Sequence, residues 1–275
     1  MRGLQTPVRA IRRQVFTEVA KLGFKANAET LVADMEAIPY EIVGEDSEVK
    51  YRESIYRARA VVRERLRLAM GLSLRPENKP VHLTAGVEAS NISEKYYEPP
   101  LMQVIPSGCE SCEENKYEVS NVCKGCLAHP CQEVCPRGAI SMVNGKSFID
   151  QDKCIKCGKC KSVCPYDAIA KKERPCKKAC GVNAITSDKL GRAYIDADKC
   201  VSCGMCMVSC PFGAISDKSQ IFQLARALSE GEEIVAEVAP AFVGQFGPNI
   251  NVRNFKAALE ELGFSETCLL YTSDA

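Results

Sequence analysis

Sixteen of the chain's seventeen cysteines lie between residues 109 and 210, in a segment that repeats itself. The stretch HPCQEVCPRGAISMVNGKSFIDQDKCIKCGKCKSVCPYDAI, starting at His129, aligns with RPCKKACGVNAITSDKLGRAYIDADKCVSCGMCMVSCPFGAI, starting at Arg174. Cys131 maps to Cys176, Cys135 to Cys180 and Cys154 to Cys200, at offsets of 45, 45 and 46. Two copies of one cofactor-binding unit therefore lie in tandem, and this constrains the fold more than any helix assignment. So many cysteines in a small secreted chain would suggest a disulfide scaffold. Residues 1–22, however, contain no uninterrupted apolar run of the secretory kind. No segment approaches the roughly 18 apolar residues of a membrane span. A stapled secreted protein and a membrane-inserted one are both disfavoured, and a cytoplasmic location is expected. At 275 residues, 46% hydrophobic and 26% charged, the chain has the size of about two domains and an ordinary globular composition.

Cys154-x2-Cys157-x2-Cys160-x3-Cys164-Pro165 and Cys200-x2-Cys203-x2-Cys206-x3-Cys210-Pro211 match the bacterial ferredoxin pattern for [4Fe–4S] clusters. Three thiolates on one tight loop wrap three irons of a cubane, and the fourth, before a proline, reaches toward the neighbouring cluster. Gly158 and Gly204 follow the second cysteine, where a missing Cβ lets backbone N–H groups approach sulfur. A third set, Cys123-x2-Cys126-x4-Cys131-x3-Cys135-Pro136, only lengthens the loop between the second and third ligands. Cys176-x3-Cys180 has no CxxC directly before it, while Cys109-x2-Cys112 upstream lacks partners of its own. Without Cys268, a bystander with no companion, sixteen cysteines remain, the requirement of four four-thiolate clusters.

The crossed-ligand rule then gives a specific assignment. The first unit holds Cys123, Cys126, Cys131 and Cys164 on one cluster, and Cys154, Cys157, Cys160 and Cys135 on its partner. The second holds Cys200, Cys203, Cys206 and Cys180, then Cys109, Cys112, Cys176 and Cys210. A rival reading takes Cys109-x2-Cys112-x10-Cys123-x2-Cys126 as a structural zinc knuckle. Iron at about sixteen per chain, against about twelve with one zinc, separates the two. His129 either replaces a thiolate and raises that cluster's potential or, more plainly, is a loop histidine beside Pro130.

Four oxidised cubanes add a charge of about −8 to a formal +1. Lys153, Lys156, Lys159 and Lys161, with Lys171, Lys172, Arg174, Lys177 and Lys178, would offset it. The run near Lys171 reads as local compensation or as a docking patch for an acidic electron carrier, rather than a nucleic-acid site.

Outside the repeat, residues 1–108 read as mainly helical. The start of the chain is arginine-rich and free of acids as far as Phe16; it faintly resembles an organelle transit peptide, but an amphipathic surface helix is the plainer reading. Ile55, Ala58, Val62, Leu66 and Ala69 form one apolar helical stripe at spacings of 3, 4, 4 and 3. Arg57, Arg59, Arg63, Arg65 and Arg67 cover the rest, interleaved with Glu53 and Glu64, as a solvated or salt-bridged face rather than a nucleic-acid surface. Pro76, Pro80, Pro99, Pro100 and Pro106 mark an extended approach to the cysteines. Beyond the repeat, a short helix around residues 221–228 is followed by EIVAEVAP, a buried strand by pattern. A helix over 252–262 and its candidate C-cap, Gly263, come next. About sixty residues build little core, and this α/β opening looks unfinished.

The segments TPVRAIRRQVF, YRESIYRARAVVRERLRLAMG and EKYYEPPLMQVIPS, both ferredoxin repeats, and EIVAEVAPAFVGQFG with KAALEELGF carry a resemblance. Over residues 1–266 the chain resembles the N-terminal portion of an [FeFe] hydrogenase, in the ferredoxin-rich subgroup that lacks a plant-type [2Fe–2S] domain. The repeat alone is shared with many electron-transfer proteins; IVAEVAPAF followed by ALEELGF is what points to the start of the catalytic domain. The resemblance implies an α+β chain: a mainly helical region 1–108, tandem ferredoxin-like units 109–216, a truncated catalytic-domain start 217–266, and a non-native tail 267–275. It implies electron relay to or from an H-cluster present only in the full-length parent, whose three cysteine motifs do not occur here. Its expected partner is a redox protein such as ferredoxin, or a hydrogenase subunit, with no nucleic acid and no membrane insertion. A polyferredoxin subunit of another oxidoreductase is the alternative.

Overall fold

The computed structural model describes residues 5–25, 29–45, 52–90 and 100–270. Pro99 and residues 271–275 of the expected tail lie outside the described residues. Helix and strand are mixed, and the chain divides into two units: Cys109–Ile215, and residues 3–108 together with 216–275.

The second unit is built on three helices, α1 (Pro7–Lys25), α2 (Leu31–Ile42) and α3 (Ile55–Ala69), joined by a fourth, Ile221–Glu230. The α3 stripe faces inward: Ala58, Val62, Leu66 and Ala69 are buried in one core with Val15, Val19, Met35 and Met70. Phe222 is fully buried in that core. The helix expected to open a separate domain thus packs into the N-terminal region, because its apolar stripe needs a partner. Gly23 permits the close approach: a Cβ there would lie 2.6 Å from the Ala225 Cβ and 2.7 Å from the Phe222 carbonyl. Gln223 ties the elements further, donating to the Met70 carbonyl at 3.1 Å and the Ser90 carbonyl at 2.9 Å.

Of the solvated or salt-bridged face that the sequence suggests, Arg57 keeps its ion pair, with Glu53 at 2.6 Å, but two of the arginines are drawn inside. Arg65 and Arg67 are buried, and Arg67 donates to the carbonyls of Ser73, Leu83 and Ala85 at 2.9, 2.6 and 2.9 Å. A guanidinium carries five fixed donors and can satisfy several loop carbonyls at once. Burial holds its pKa below the usual arginine range. Arg59 donates to the Val43 carbonyl and Arg63 to the Tyr40 hydroxyl, and Glu64 pairs with Arg75 at 2.6 Å. Arg67 and Arg75 thus fasten the irregular, proline-marked segment to α3, while Arg59 and Arg63 tie α3 to the end of α2.

After the helix Ile221–Glu230, strand Val235–Val238, helix Val252–Glu261 and strand Glu266–Leu269 form a β-α-β crossover with the strands parallel. Glu266 stands opposite Val235 and Cys268 opposite Glu237, and the Leu270 N–H donates to the Val238 carbonyl at 2.9 Å. Residues 267–270 of the expected tail therefore lie in this sheet. The first strand is not buried as its composition suggests: Val235 is 51% exposed, and the crossover helix has no buried residue. Phe255 of that helix stacks on Phe242 at 4.4 Å between ring centres, and Phe246 lies tilted against it at 5.2 Å. Gly263, at φ +104°, caps the helix as its sequence position suggests.

The cysteine unit is a set of short antiparallel strand pairs and one-turn helices. Ile140–Val143 pairs with Lys146–Ile149 across an Asn144-Gly145 turn, both residues in the left-handed region such a turn demands. Ile185–Ser187 pairs with Ala193–Ile195 in the second copy, and Lys116–Val119 pairs with Ile169–Lys172. Tyr117, Ile140, Ile149 and Ile169 form a small core together with Cys131 and Cys160.

Candidate functional site

One element recurs four times: CPRGAI from Cys135, CPYDAI from Cys164, CGVNAI from Cys180 and CPFGAI from Cys210. The third residue after each cysteine has positive φ, at Gly138, Asp167, Asn183 and Gly213. These are residue types that tolerate the left-handed region. The turn folds the next amide back onto the thiol: the Ala139, Ala168 and Ala184 N–H groups donate to the Sγ atoms of Cys135, Cys164 and Cys180 at 3.3, 3.4 and 3.3 Å. Each alanine, and the isoleucine after it, is buried at 3% exposure or less. The isoleucine thus anchors the turn in the core while the amide faces sulfur. Such N–H···S bonds stabilise thiolate charge.

A second recurring element is a one-turn helix that buries one cysteine: Cys131 in Pro130–Glu133, Cys160 in Lys159–Ser162, Cys176 in Pro175–Lys178 and Cys206 in Met205–Ser209. Before two of these helices the chain turns sharply at Gly158 and Gly204, at φ +80° and +73°. At Gly158 a Cβ would also lie 2.6 Å from the Tyr117 hydroxyl. The glycines therefore serve the turn itself, beyond any approach to sulfur.

The sulfurs gather in sets. Cys123, Cys126, Cys131 and Cys164 line one cavity with Gly125, Ser147 and Ile169. Cys164 joins them from the second half of the unit, across more than thirty residues of chain from Cys131. The Ser147 hydroxyl lies 3.3 Å from the Cys131 sulfur. Bonds from the Ser147 and Gly125 amides hold the Cys123 thiol below its ordinary pKa. Cys109, Cys112, Cys176 and Cys210 form another set. Burial first, then the charges of Cys109 and Cys210, push up the Cys112 thiol. Burial and the same two neighbours push Cys176 up to about 12. Cys154 and Cys157 adjoin Cys160, whose thiol is raised by burial and then by them. Cys135 and Cys154 pack on the small core that contains Cys160. Cys200 and Cys203 adjoin Cys206, which burial pushes up to about 11. All these cysteines are free of disulfides.

The two pairs of the zinc-knuckle reading are thus drawn to different sets, Cys123 and Cys126 to one and Cys109 and Cys112 to the other. Among the described residues no three His, Cys, Asp or Glu side chains converge as they would on a single metal ion. Thiols set around a cavity, supplied with amide donors, suit a multi-iron cluster with one thiolate per iron. As bare thiols Cys160, Cys176 and Cys206 resist ionisation; iron supplies the positive charge that would stabilise them as thiolates.

His129 is not among the residues lining the cavity of Cys123, Cys126, Cys131 and Cys164. It caps the Cys131 helix through its backbone, at φ 39°, with its carbonyl accepting from Gln132 and Glu133. Cys268 sits on the parallel sheet of the other unit.

Arg174 is the residue whose role the sequence conceals. Only 3% exposed, it donates to the Cys112 carbonyl at 2.9 Å and to the Gly191 carbonyl at 2.7 Å. Its Nη1 donates to the Ser187 hydroxyl at 3.1 Å and pairs with Glu114 at 3.3 Å. It fixes the Cys109–Cys112 segment against the second hairpin, and its charge opposes the rise at Cys112 and Cys176. The basic run around it is internally paired: Lys171 and Lys178 with Glu173, Lys172 with Glu113 and Glu118, and Lys177 with Glu114.

The 4Fe-4S binding domain family matches residues 148–170 and 193–216. An uncharacterized ferredoxin of Methanocaldococcus jannaschii is 38% identical over 65 residues, 24% of this chain and 39% of its own. The electron transport protein HydN of Escherichia coli is 43% identical over 56 residues, 20% of this chain and 32% of its own. One component of an ion-translocating oxidoreductase complex of Methanosarcina acetivorans is 41% identical over 63 residues, 22% of this chain and 24% of its own. The chain thus spans well under two thirds of the length of these relatives. Site and matches together define the class: ferredoxin-like [4Fe–4S] binding units with an iron–sulfur electron-transfer function. No helix of the described residues is long and apolar enough to cross a membrane.

Proposed function

We propose that this chain relays electrons through four [4Fe–4S] clusters toward the H-cluster domain of an [FeFe] hydrogenase. The ligand sets are Cys123, Cys126, Cys131 and Cys164; Cys154, Cys157, Cys160 and Cys135; Cys200, Cys203, Cys206 and Cys180; and Cys109, Cys112, Cys176 and Cys210. The clusters, when bound, accept and release one electron at a time. The protein's part is to bury sulfur, aim amide donors at it and place cationic groups nearby, all of which tune potential. The observation that carries the cluster reading is the cavity lined by four cysteines drawn from both halves of the first unit. Anaerobic reconstitution tests it: a brown protein that bleaches with dithionite supports the relay, and a colourless one excludes it.

The hydrogenase part of the reading rests on the sequence resemblance. It gains support from the β-α-β segment, whose helix has no buried residue and leaves apolar side chains for a larger domain to cover. No hydrogen chemistry is assigned to these residues, because the three H-cluster motifs are absent from the sequence. We place the protein in the cytoplasm, with a redox protein as partner. A polyferredoxin subunit of another oxidoreductase is the second reading, favoured by relatives named as ferredoxins and electron-transport proteins. Sequencing the source DNA beyond the Glu260 codon separates them: a frame continuing into the three motifs gives the hydrogenase, and a stop after Ala275 gives the polyferredoxin.

A further inference from the structure

The two copies of the cluster-binding loop share one backbone but not one surface. Lys156 and its counterpart Ser202 both have positive φ, 60° and 55°, and Gly158 and Gly204 turn alike. Lys156, Lys159 and Lys161 of the first copy correspond to Ser202, Met205 and Met207 of the second. The loop folds equally with serine and methionine, so the lysines are not required by the fold. Nor are they required to offset the cluster, because the second copy binds the same cofactor with none of them. All three are exposed, and among the described residues none has an ion-pair partner, in contrast to the paired run at Lys171–Lys178. They surround Cys157, itself exposed, and Ile155, which is 57% exposed.

We propose that the loop Lys153–Lys161 is the docking surface for an acidic one-electron redox protein, which reduces the chain at the cluster bound by Cys157. The inference rests on the electron-relay reading above and adds the place and chemistry of entry. Unpaired lysines around an exposed ligand raise the local concentration of an anionic partner and orient it. Ile155 gives the small apolar centre about which such a cationic rim is built. In the transfer the partner is oxidised by one electron and the chain gains that electron.

The test uses the reconstituted full chain, the triple variant Lys156→Gln/Lys159→Gln/Lys161→Gln, and a control variant, Lys189→Gln/Lys199→Gln, from the second copy. The probe is a strongly acidic ferredoxin, with binding measured by calorimetry and reduction by stopped flow at several ionic strengths; reduced methyl viologen, a cation, serves as the reference reductant. The triple variant is expected to weaken binding and slow reduction on the order of tenfold at low salt, and to flatten the salt dependence. The control variant and the viologen rates should not fall. Equal ferredoxin rates in all three proteins, or an equal loss in the control, would overturn the proposal. If viologen reduces no cluster in the wild-type chain, the relay reading itself fails and this inference goes with it.

Discussion

Arg174 shows how much of this site depends on one side chain. Two backbone carbonyls and a hydroxyl rely on its donors inside the protein. Arg174→Gln should lower stability by about 3 kcal/mol, since it leaves buried acceptors unpaired; chemical denaturation measures this. The potential of one cluster should also fall, because a nearby positive charge favours the reduced, more negative state; an EPR-monitored redox titration reads it. Arg174→Lys should rescue the potential more than the stability, as an ammonium keeps the charge but lacks the planar fork. In the sequence Arg174 is one more cation in a basic run. Its burial depends on the second hairpin closing over it, which no local pattern reveals. The cysteine spacings stand in the sequence itself, and thiolate chemistry is what makes them readable as a ligand pattern. The alanines after Cys135, Cys164 and Cys180 were legible in principle, since the Cys-x3-Ala-Ile repeat is visible, but their N–H···S role needs the backbone turn.

At the scale of elements, the contact of α1 with the helix Ile221–Glu230 is the most constrained by shape. Gly23→Ala forces a methyl group into the Phe222 carbonyl and the Ala225 side chain. A loss of about 1–3 kcal/mol in thermal unfolding is expected, with iron content unchanged. The helical stripe of α3 was readable from its period, but the fate of its arginines was not. Arg67 is polar by composition and buried by geometry, because loop carbonyls up to eighteen residues away needed donors. The strand Val235–Val238 erred the other way: its apolar run suggests burial on both faces, which a two-stranded sheet cannot provide.

For the whole molecule, the thiols decide the response to pH. Folded Cys176 and Cys206, pushed up to about 12 and 11, hold their protons more tightly than unfolded thiols near 9. In the iron-free chain their contribution to stability is therefore complete below about pH 9 and is lost as pH rises toward the folded values. Iron binding reverses the dependence, because each thiol must give up its proton. Reconstitution should release about four protons per cluster from the thiols, in addition to those of the hydrosulfide that becomes cluster sulfide, and become more favourable as pH increases from 6 to 8, as followed by absorbance and proton-release titration. Acidification should strip the clusters.

We propose that sixteen thiols hold four cubanes, and metal analysis of the anaerobically reconstituted full chain decides whether they do. Four clusters require about sixteen iron and sixteen labile sulfide per chain and no zinc. About twelve iron with one zinc would mean that Cys109, Cys112, Cys123 and Cys126 form a zinc site, and would contradict the four-set assignment.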